Sequence, residues 1–130
     1  MRESTNVAAL REVYELARRG DHRELRTRLR EDVSWLPARE GVWKPCSDAD
    51  EVLRTLIFRA GMNRMRPAET IDLGDRVLVQ LRGRGMDRLG ASGLFPRLFQ
   101  IVVFREGKVA SIQDYPRRAD ALAAAGLKTG

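Results

Sequence analysis

Asp114 is the residue whose type and position could do chemistry in this chain of 130 residues. It sits in Ile112-Gln113-Asp114-Tyr115-Pro116, near the end of an apolar strand. The turn before that strand determines which residues it faces. Read as a three-residue loop, Arg105-Glu106-Gly107 puts Gly where a positive φ is needed and pairs Phe104 with Lys108. Val102 then faces Ala110, Gln100 faces Ile112 and Leu98 faces Asp114. A two-residue turn would reverse the faces. A carboxyl among Leu98, Gln100 and Ile112 has its charged form disfavoured by desolvation, which is one way to make a general base or a proton donor. Tyr14, from the first helix, could reach the same space, and Gln100 could supply a hydrogen bond. The plainer alternative is a buried Asp that bonds a backbone N–H or an Arg and anchors the last strand.

Other chemistries lack their residues. There is no P-loop, dinucleotide fingerprint, HExxH, CxxC or GxSxG pattern. His22 is the single histidine and falls in the first turn of a short helix, where an exposed surface role is expected. Cys46 has no second Cys to pair with and no His nearby in sequence, so neither a disulfide nor a reactive thiolate is expected. One His and one Cys make no soft-metal set, and no metal or cofactor is expected.

Net charge is +6, carried almost wholly by Arg; Lys stands only at Lys44, Lys108 and Lys128. These Arg are dispersed among Asp and Glu, without the aromatic-interleaved basic stripe of single-strand binders. Nucleic acid is therefore not the expected partner, and an anion binder acting through Arg rests on composition alone. No apolar run approaches the ~20 residues of a membrane span. The N-terminal residues carry no signal-peptide pattern, and a cytoplasmic protein of one domain, residues 1–130, is expected.

The elements that must position Asp114 follow from spacing. Thr5 to Arg19 reads as a helix with Val7, Leu10, Val13, Tyr14 and Ala17 on one stripe, ended by Gly20. Asp21 and Glu24 open a short second helix whose buried side is Leu25 and Leu29. Asp32 to Leu36 is a strand, stopped by Pro37, and Ala38 to Cys46 is a loop. Trp35 and Trp43 wall the cavity or pack in the core. Ser47 caps a third helix, Asp48 to Ala60, with Val52, Leu53, Leu56, Ile57 and Ala60 inward and Gly61 as its stop. Strands follow at Arg64–Leu73 and Asp75–Arg84. In the second, Val77, Val79, Leu81 and Gly83 face in, while Leu78, Gln80, Arg82 and Arg84 face out. Gly85 to Gly93 is a Gly-rich loop and a candidate lid. Phe95 to Phe104 and Lys108 to Tyr115 are the last strands. Pro116 then starts a helix that Gly126 ends, with Leu127 in the apolar contact beyond. Phe99, Ile101 and Val103 form a second apolar face, for which a partner subunit is the simplest cover.

The run from Leu94 to Leu127, with REGKV, SIQDYP and RRADALAAAGL, resembles the C-terminal end of SnoaL-like proteins of the nuclear transport factor 2-like superfamily. The resemblance extends more weakly over nearly the whole chain. It implies an α+β fold: three N-terminal helices on a strongly curved, mostly antiparallel sheet, forming a cone-shaped barrel around an apolar cavity, with a short C-terminal helix. The third helix would lie across the open mouth of the sheet. The superfamily includes isomerases, cyclases, epoxide hydrolases and proteins without chemistry. Asp114 matches the last-strand aspartate of limonene-epoxide-hydrolase-like members. Their partner Arg and Asp are replaced by Leu81 and Gly83, so that reaction does not carry over. No acid follows the first strand, Trp35-Leu36-Pro37, as steroid-isomerase chemistry needs, and Tyr14 is one position out of register.

The expectation is a protein that binds a small apolar molecule among Trp35, Trp43, Leu56, Val79, Leu81, Leu98, Gln100 and Ile112. Asp114 is its candidate acid or base, Tyr14 its assistant, and a homodimer through Phe99, Ile101 and Val103 its assembly. The alternative is a non-catalytic dimeric module whose cavity its own side chains fill.

Overall fold

Capping residues and apolar stripes define the helices. The computed structural model describes residues 4–38, 44–83 and 97–127. Helix α1 is Thr5–Arg19; Ser4 Oγ accepts from the Val7 N–H at 3.1 Å, and Gly20, at φ 69°, ends it. Its stripe is buried as expected: Val7, Leu10, Val13, Tyr14 and Ala17. Helix α2, His22–Arg26, is capped by Asp21 through the Glu24 N–H at 3.2 Å. It is shorter than expected. Leu29 is buried not in α2 but at the start of strand β1, Leu29–Leu36.

Helix α3 is Ala49–Asn63, and its cap is Asp48 rather than Ser47. Asp48 Oδ1 takes the Glu51 N–H at 2.9 Å, and Asp50 and Glu51 complement the helix dipole in the first turn. The helix also runs through Gly61. Arg64 closes it instead, in the left-handed region at φ 50°. A helical Gly costs about 1 kcal/mol relative to Ala, and the burial of Leu53, Leu56 and Ala60 outweighs that.

Strands β2 (Arg66–Asp72), β3 (Arg76–Arg82), β4 (Arg97–Arg105) and β5 (Lys108–Tyr115) complete the architecture with helix α4, Arg118–Ala124. Among the described residues they form one curved five-stranded sheet in the order β1-β5-β4-β3-β2. β1 runs parallel to β5 and the other pairs are antiparallel. The fold is α+β, and the sheet is open rather than closed into a full barrel.

The β4–β5 connection differs from the expected three-residue loop. Arg105 pairs with Lys108 across a two-residue turn, with Glu106 at φ 54° and Gly107 at φ 78°. Alone, that turn would place Asp114 on the face of Phe99. A bulge restores the face: Phe104 pairs with Val109, but Val103 pairs with Ser111, leaving Ala110 extra. Asp114 thus lies opposite Gln100 rather than Leu98, on the inner face as expected.

Each face of β4 has its own cover. Leu98, Val102 and Phe104 join Val77, Val79, Leu81, Val109, Ile112, Val33 and Trp35 in a core with α1 and α3. Phe99 and Ile101 join Leu78 in a second cluster with Ala121, Leu122 and Ala125. Within the chain, α4 covers Phe99 and Ile101, while Val103 stays half-buried. This helix ends as expected: Gly126, at φ 77°, donates to Ala123 O, and the Leu127 N–H reaches Leu122 O at 2.8 Å. Among the described residues no helix is long and apolar enough to cross a membrane.

The turn yields a test. Glu106→Asn creates Asn-Gly, the pair suited to two successive positive-φ positions. It should stabilise the fold by about 0.5–1 kcal/mol, read as a higher urea midpoint at unchanged slope.

Candidate active site

The inner face brings together the residues that sequence spacing singled out. Val79, Gln100 and Asp114 are successive partners across β3, β4 and β5. The next row joins Val77, Val102, Ile112 and Trp35. Leu81 pairs with Leu98 on the other side of the polar row. Tyr14 comes down from α1, where helical spacing puts it between Leu10 and Ala17 on the buried stripe.

These positions build a hydrogen-bonded chain inside the core. The Tyr14 hydroxyl donates to Gln100 Oε1 at 2.6 Å. Gln100 Nε2 donates to Asp114 Oδ1 at 2.8 Å, and Trp35 Nε1 donates to the same oxygen at 2.8 Å. The orientations follow from chemistry. An ionised carboxylate only accepts, so the Gln100 amide must present its NH₂ to Asp114 and its oxygen to Tyr14. The second carboxylate oxygen, Oδ2, is buried without a hydrogen-bond partner among the described residues.

Burial pushes the Asp114 carboxyl up to about 7, against the opposing pull of the Trp35 and Gln100 hydrogen bonds and the Arg59 charge. Both protonation states are therefore accessible near neutral pH. Burial also raises the Tyr14 phenol well above its ordinary value; the Asp114 charge adds to this and the Gln100 bond opposes it. Tyr14 thus stays a neutral donor. A carboxyl poised near 7, with one oxygen held by two donors and the other uncommitted, can accept or deliver a proton at Oδ2.

Leu56, Val79, Leu81, Leu98 and Ile112 all lie in this core, with exposures from 0 % for Val79, Leu81 and Leu98 to 3 % for Ile112. At such values the side chains meet one another rather than a water-filled hollow. Trp35 is fully buried and acts as a donor to Asp114 rather than only as a wall. Trp43 and the loop Gly85–Gly93 lie outside the described residues. Leu81 points in and Arg82 is exposed, so the position beside Asp114 lacks the Arg of the epoxide-hydrolase pattern.

Arg59 was missed by the sequence reading. Its charge acts on Asp114, and burial lowers its own pKa. The signal was its place on α3, three residues after the buried Leu56, at the edge of the apolar stripe. Cys46 is buried, and burial raises its thiol pKa, which disfavours the thiolate. His22 is exposed, its Nδ1 beside Gly20 O at 3.0 Å. Among the described residues no group of three His, Cys, Asp or Glu could hold a metal.

No family model and no curated protein matches the chain. Solved structures do. An NTF2-like protein from Burkholderia xenovorans LB400 is 23% identical over 96% of this chain and 98% of that one, with a TM-score of 0.64. The chain has the NTF2-like fold. A putative polyketide cyclase from Sinorhizobium meliloti is 18% identical over 78% of this chain and 87% of that one, at a TM-score of 0.57. TerC, co-crystallised with polyporic acid, is 20% identical over 95% and 99%, at 0.63. At these identities the likeness is one of fold. Within the NTF2-like fold of this chain, the polar row lies on the sheet face that α1 and α3 cover.

The Asp114 environment sets a pH dependence. Between the unfolded value near 4 and the folded value of about 7, the folded state holds a proton that the unfolded state has released. Stability from this group is full below about pH 4 and falls as pH rises through 7. The slope is about 1.4 kcal/mol per pH unit at most. Asp114→Asn should remove that slope in urea unfolding between pH 5 and 8, and should be more stable than wild type at pH 8. Trp35→Phe removes one donor to the carboxylate and should move the Asp114 titration, followed by carboxyl NMR, to higher pH.

Proposed function

We propose that this protein binds a small, largely apolar molecule on the inner face of its sheet and uses Asp114 as the acid or base toward a polar atom of that molecule. The observation that carries this reading is the uncommitted Oδ2 of a buried carboxyl whose other oxygen is held by Trp35 and Gln100. A carboxylate that served only as a strand anchor would be expected to use both oxygens, because an unsatisfied buried acceptor costs roughly 1–3 kcal/mol. Tyr14 orients Gln100, and Arg59 stabilises the ionised form. An isomerase-, cyclase- or hydrolase-type proton transfer fits this set. The assembly proposed is a homodimer through the outer face of Phe99, Ile101 and Val103, at the edge around Val103 that the single chain leaves half-buried. A cytoplasmic setting suits the free Cys46.

A second reading has its own observation. Leu56, Val79, Leu81, Leu98 and Ile112 are closed on one another, as in a non-catalytic module whose interior its own side chains fill.

Trp35 offers the test, because its indole N–H is bonded to Asp114. TerC's polyporic acid and a panel of hydroxylated aromatics are titrated against intrinsic fluorescence. The small-molecule reading expects saturable quenching by at least one compound, weakened on the order of tenfold in Asp114→Asn. No saturable change across the panel, or an equal response in Asp114→Asn, favours the filled module.

A further inference from the structure

The polar row accounts for the inner face, but not for the arginines at one end of the sheet. In register, Arg66 of β2 lies directly opposite Arg82 of β3, and Arg82 lies directly opposite Arg97 of β4. Like charges placed opposite each other across strands are unfavourable. Arg64 precedes this row in the left-handed region, where a side chain is strained and Gly is usual. Arg64, Arg66 and Arg82 are exposed and line a groove of about 330 Å³ together with Gly83.

Ordinary structural explanations cover only part of this. A cation on an edge strand blocks unwanted strand pairing, which would account for Arg66 on β2. It does not account for Arg82, because β3 is an interior strand. A cation after a helix C-terminus suits the dipole, which would account for the charge of Arg64 but not for its backbone strain. Among the described residues no carboxylate is ion-paired to Arg64, Arg66 or Arg82. Glu69, also on β2, is engaged by Arg118 at 3.3 Å.

The neighbouring groove of about 510 Å³, lined by Arg18, Ala60, Gly61, Arg64 and Arg66, is a different case. There Arg18 is already committed to Glu15 and, through Nη1, to Met65 O at 2.9 Å. The C-terminal end of α3 also points negative potential toward that side. Arg64 and Arg66 line both grooves, and what distinguishes the smaller one is Arg82 in place of Arg18.

We propose that the groove of Arg64, Arg66, Arg82 and Gly83 is a binding site for the phosphoryl group of a small molecule. Guanidinium groups present paired N–H donors that match phosphate oxygens, and several together favour a dianion over a single carboxylate. Among the described residues the lining holds no aromatic side chain on which a base could stack, unlike single-stranded nucleic-acid channels. The site lies at the end of the sheet, apart from the Asp114 row, and does not rest on the acid–base reading.

The test is titration of the full chain with inorganic phosphate and pyrophosphate at constant ionic strength, by calorimetry and by thermal midpoint. Pyrophosphate should bind saturably and raise the midpoint by about 4 °C at tenfold excess over its dissociation constant. Arg66→Gln and Arg82→Gln should each weaken binding on the order of tenfold. In chloride alone their midpoints should equal or exceed wild type, because cross-strand repulsion is relieved. Arg54→Gln, an equal charge change at an exposed position on α3, should leave both readouts unchanged. Four results would each overturn the proposal. One is a midpoint no higher than in matched chloride. Another is an equal loss of affinity in Arg54→Gln. A third is lower chloride midpoints in Arg66→Gln and Arg82→Gln with pyrophosphate affinity intact. The last is preference for a single-stranded oligonucleotide over pyrophosphate at equal phosphate concentration.

Discussion

Burying one carboxyl in the middle of an apolar sheet face constrains much of what surrounds it. Asp114 is 1 % exposed, and a charge taken that far from water must either gain donors or gain a proton. Here it has partial access to both. Two N–H groups converge on Oδ1, and the carboxyl is poised at about 7. Each donor must in turn be held by its own element. Trp35 is fixed by the parallel β1–β5 ladder, and Gln100 by the β4–β5 pairing and by the Tyr14 hydroxyl from α1. Sheet and helix are thus joined through one polar chain inside the hydrophobic core.

The hairpin that places Asp114 depends on two irregularities that compensate each other. A two-residue turn shifts the register by one relative to a three-residue loop, and the extra Ala110 shifts it by one more, which returns Asp114 to the inner face. Because side chains alternate along a strand, either change alone would move Asp114 to the α4 side, away from Tyr14 and Trp35. The same hairpin serves both layers of the fold. Its inner residues pack under α1 and α3, and its outer residues pack under α4. The long apolar run of β4 is that of a strand covered on both faces.

Interior and surface divide the chemistry between them. The core holds buried, mostly apolar groups around the titrating carboxyl of Asp114, where low polarity amplifies each hydrogen bond. The sheet end holds exposed guanidinium groups, where water screens each charge and only several acting together could select a ligand. High Arg content is therefore not uniform in meaning. Arg26 and Arg28 sit in surface ion pairs, Arg59 bears on the buried carboxyl, and Arg66 and Arg82 face each other.

Local patterns in the sequence were enough to determine the helix stripes, the Asp21 cap, the stops at Gly20 and Gly126 and the strand order in the chain, because periodicity and capping depend on residues within a turn or two. The caps at Ser47 and Gly61 moved to Asp48 and Arg64, and α4 starts at Arg118 rather than Pro116. Local patterns also put Tyr14 on the buried stripe of its helix and Gln100 and Asp114 on one strand face, while the contact between Tyr14 and Gln100, 86 positions apart, came from the packing of α1 on the sheet. A family resemblance supplied the curved sheet, and the structural neighbours agree with it. Tertiary structure decided what needed distance. The stop of α3 at Arg64 rather than Gly61 reflects burial of the helix, which overrode local propensity. The cover over Phe99 and Ile101 was legible as a need, and within the chain α4 supplies it. The Trp35 bond to Asp114 spans 79 positions, and the Arg59 influence joins a helix to a strand across the core. The row of arginines at the sheet end likewise exists only through pairing of β2, β3 and β4. Register between distant strands is a property of the assembled sheet, and no local pattern encodes it.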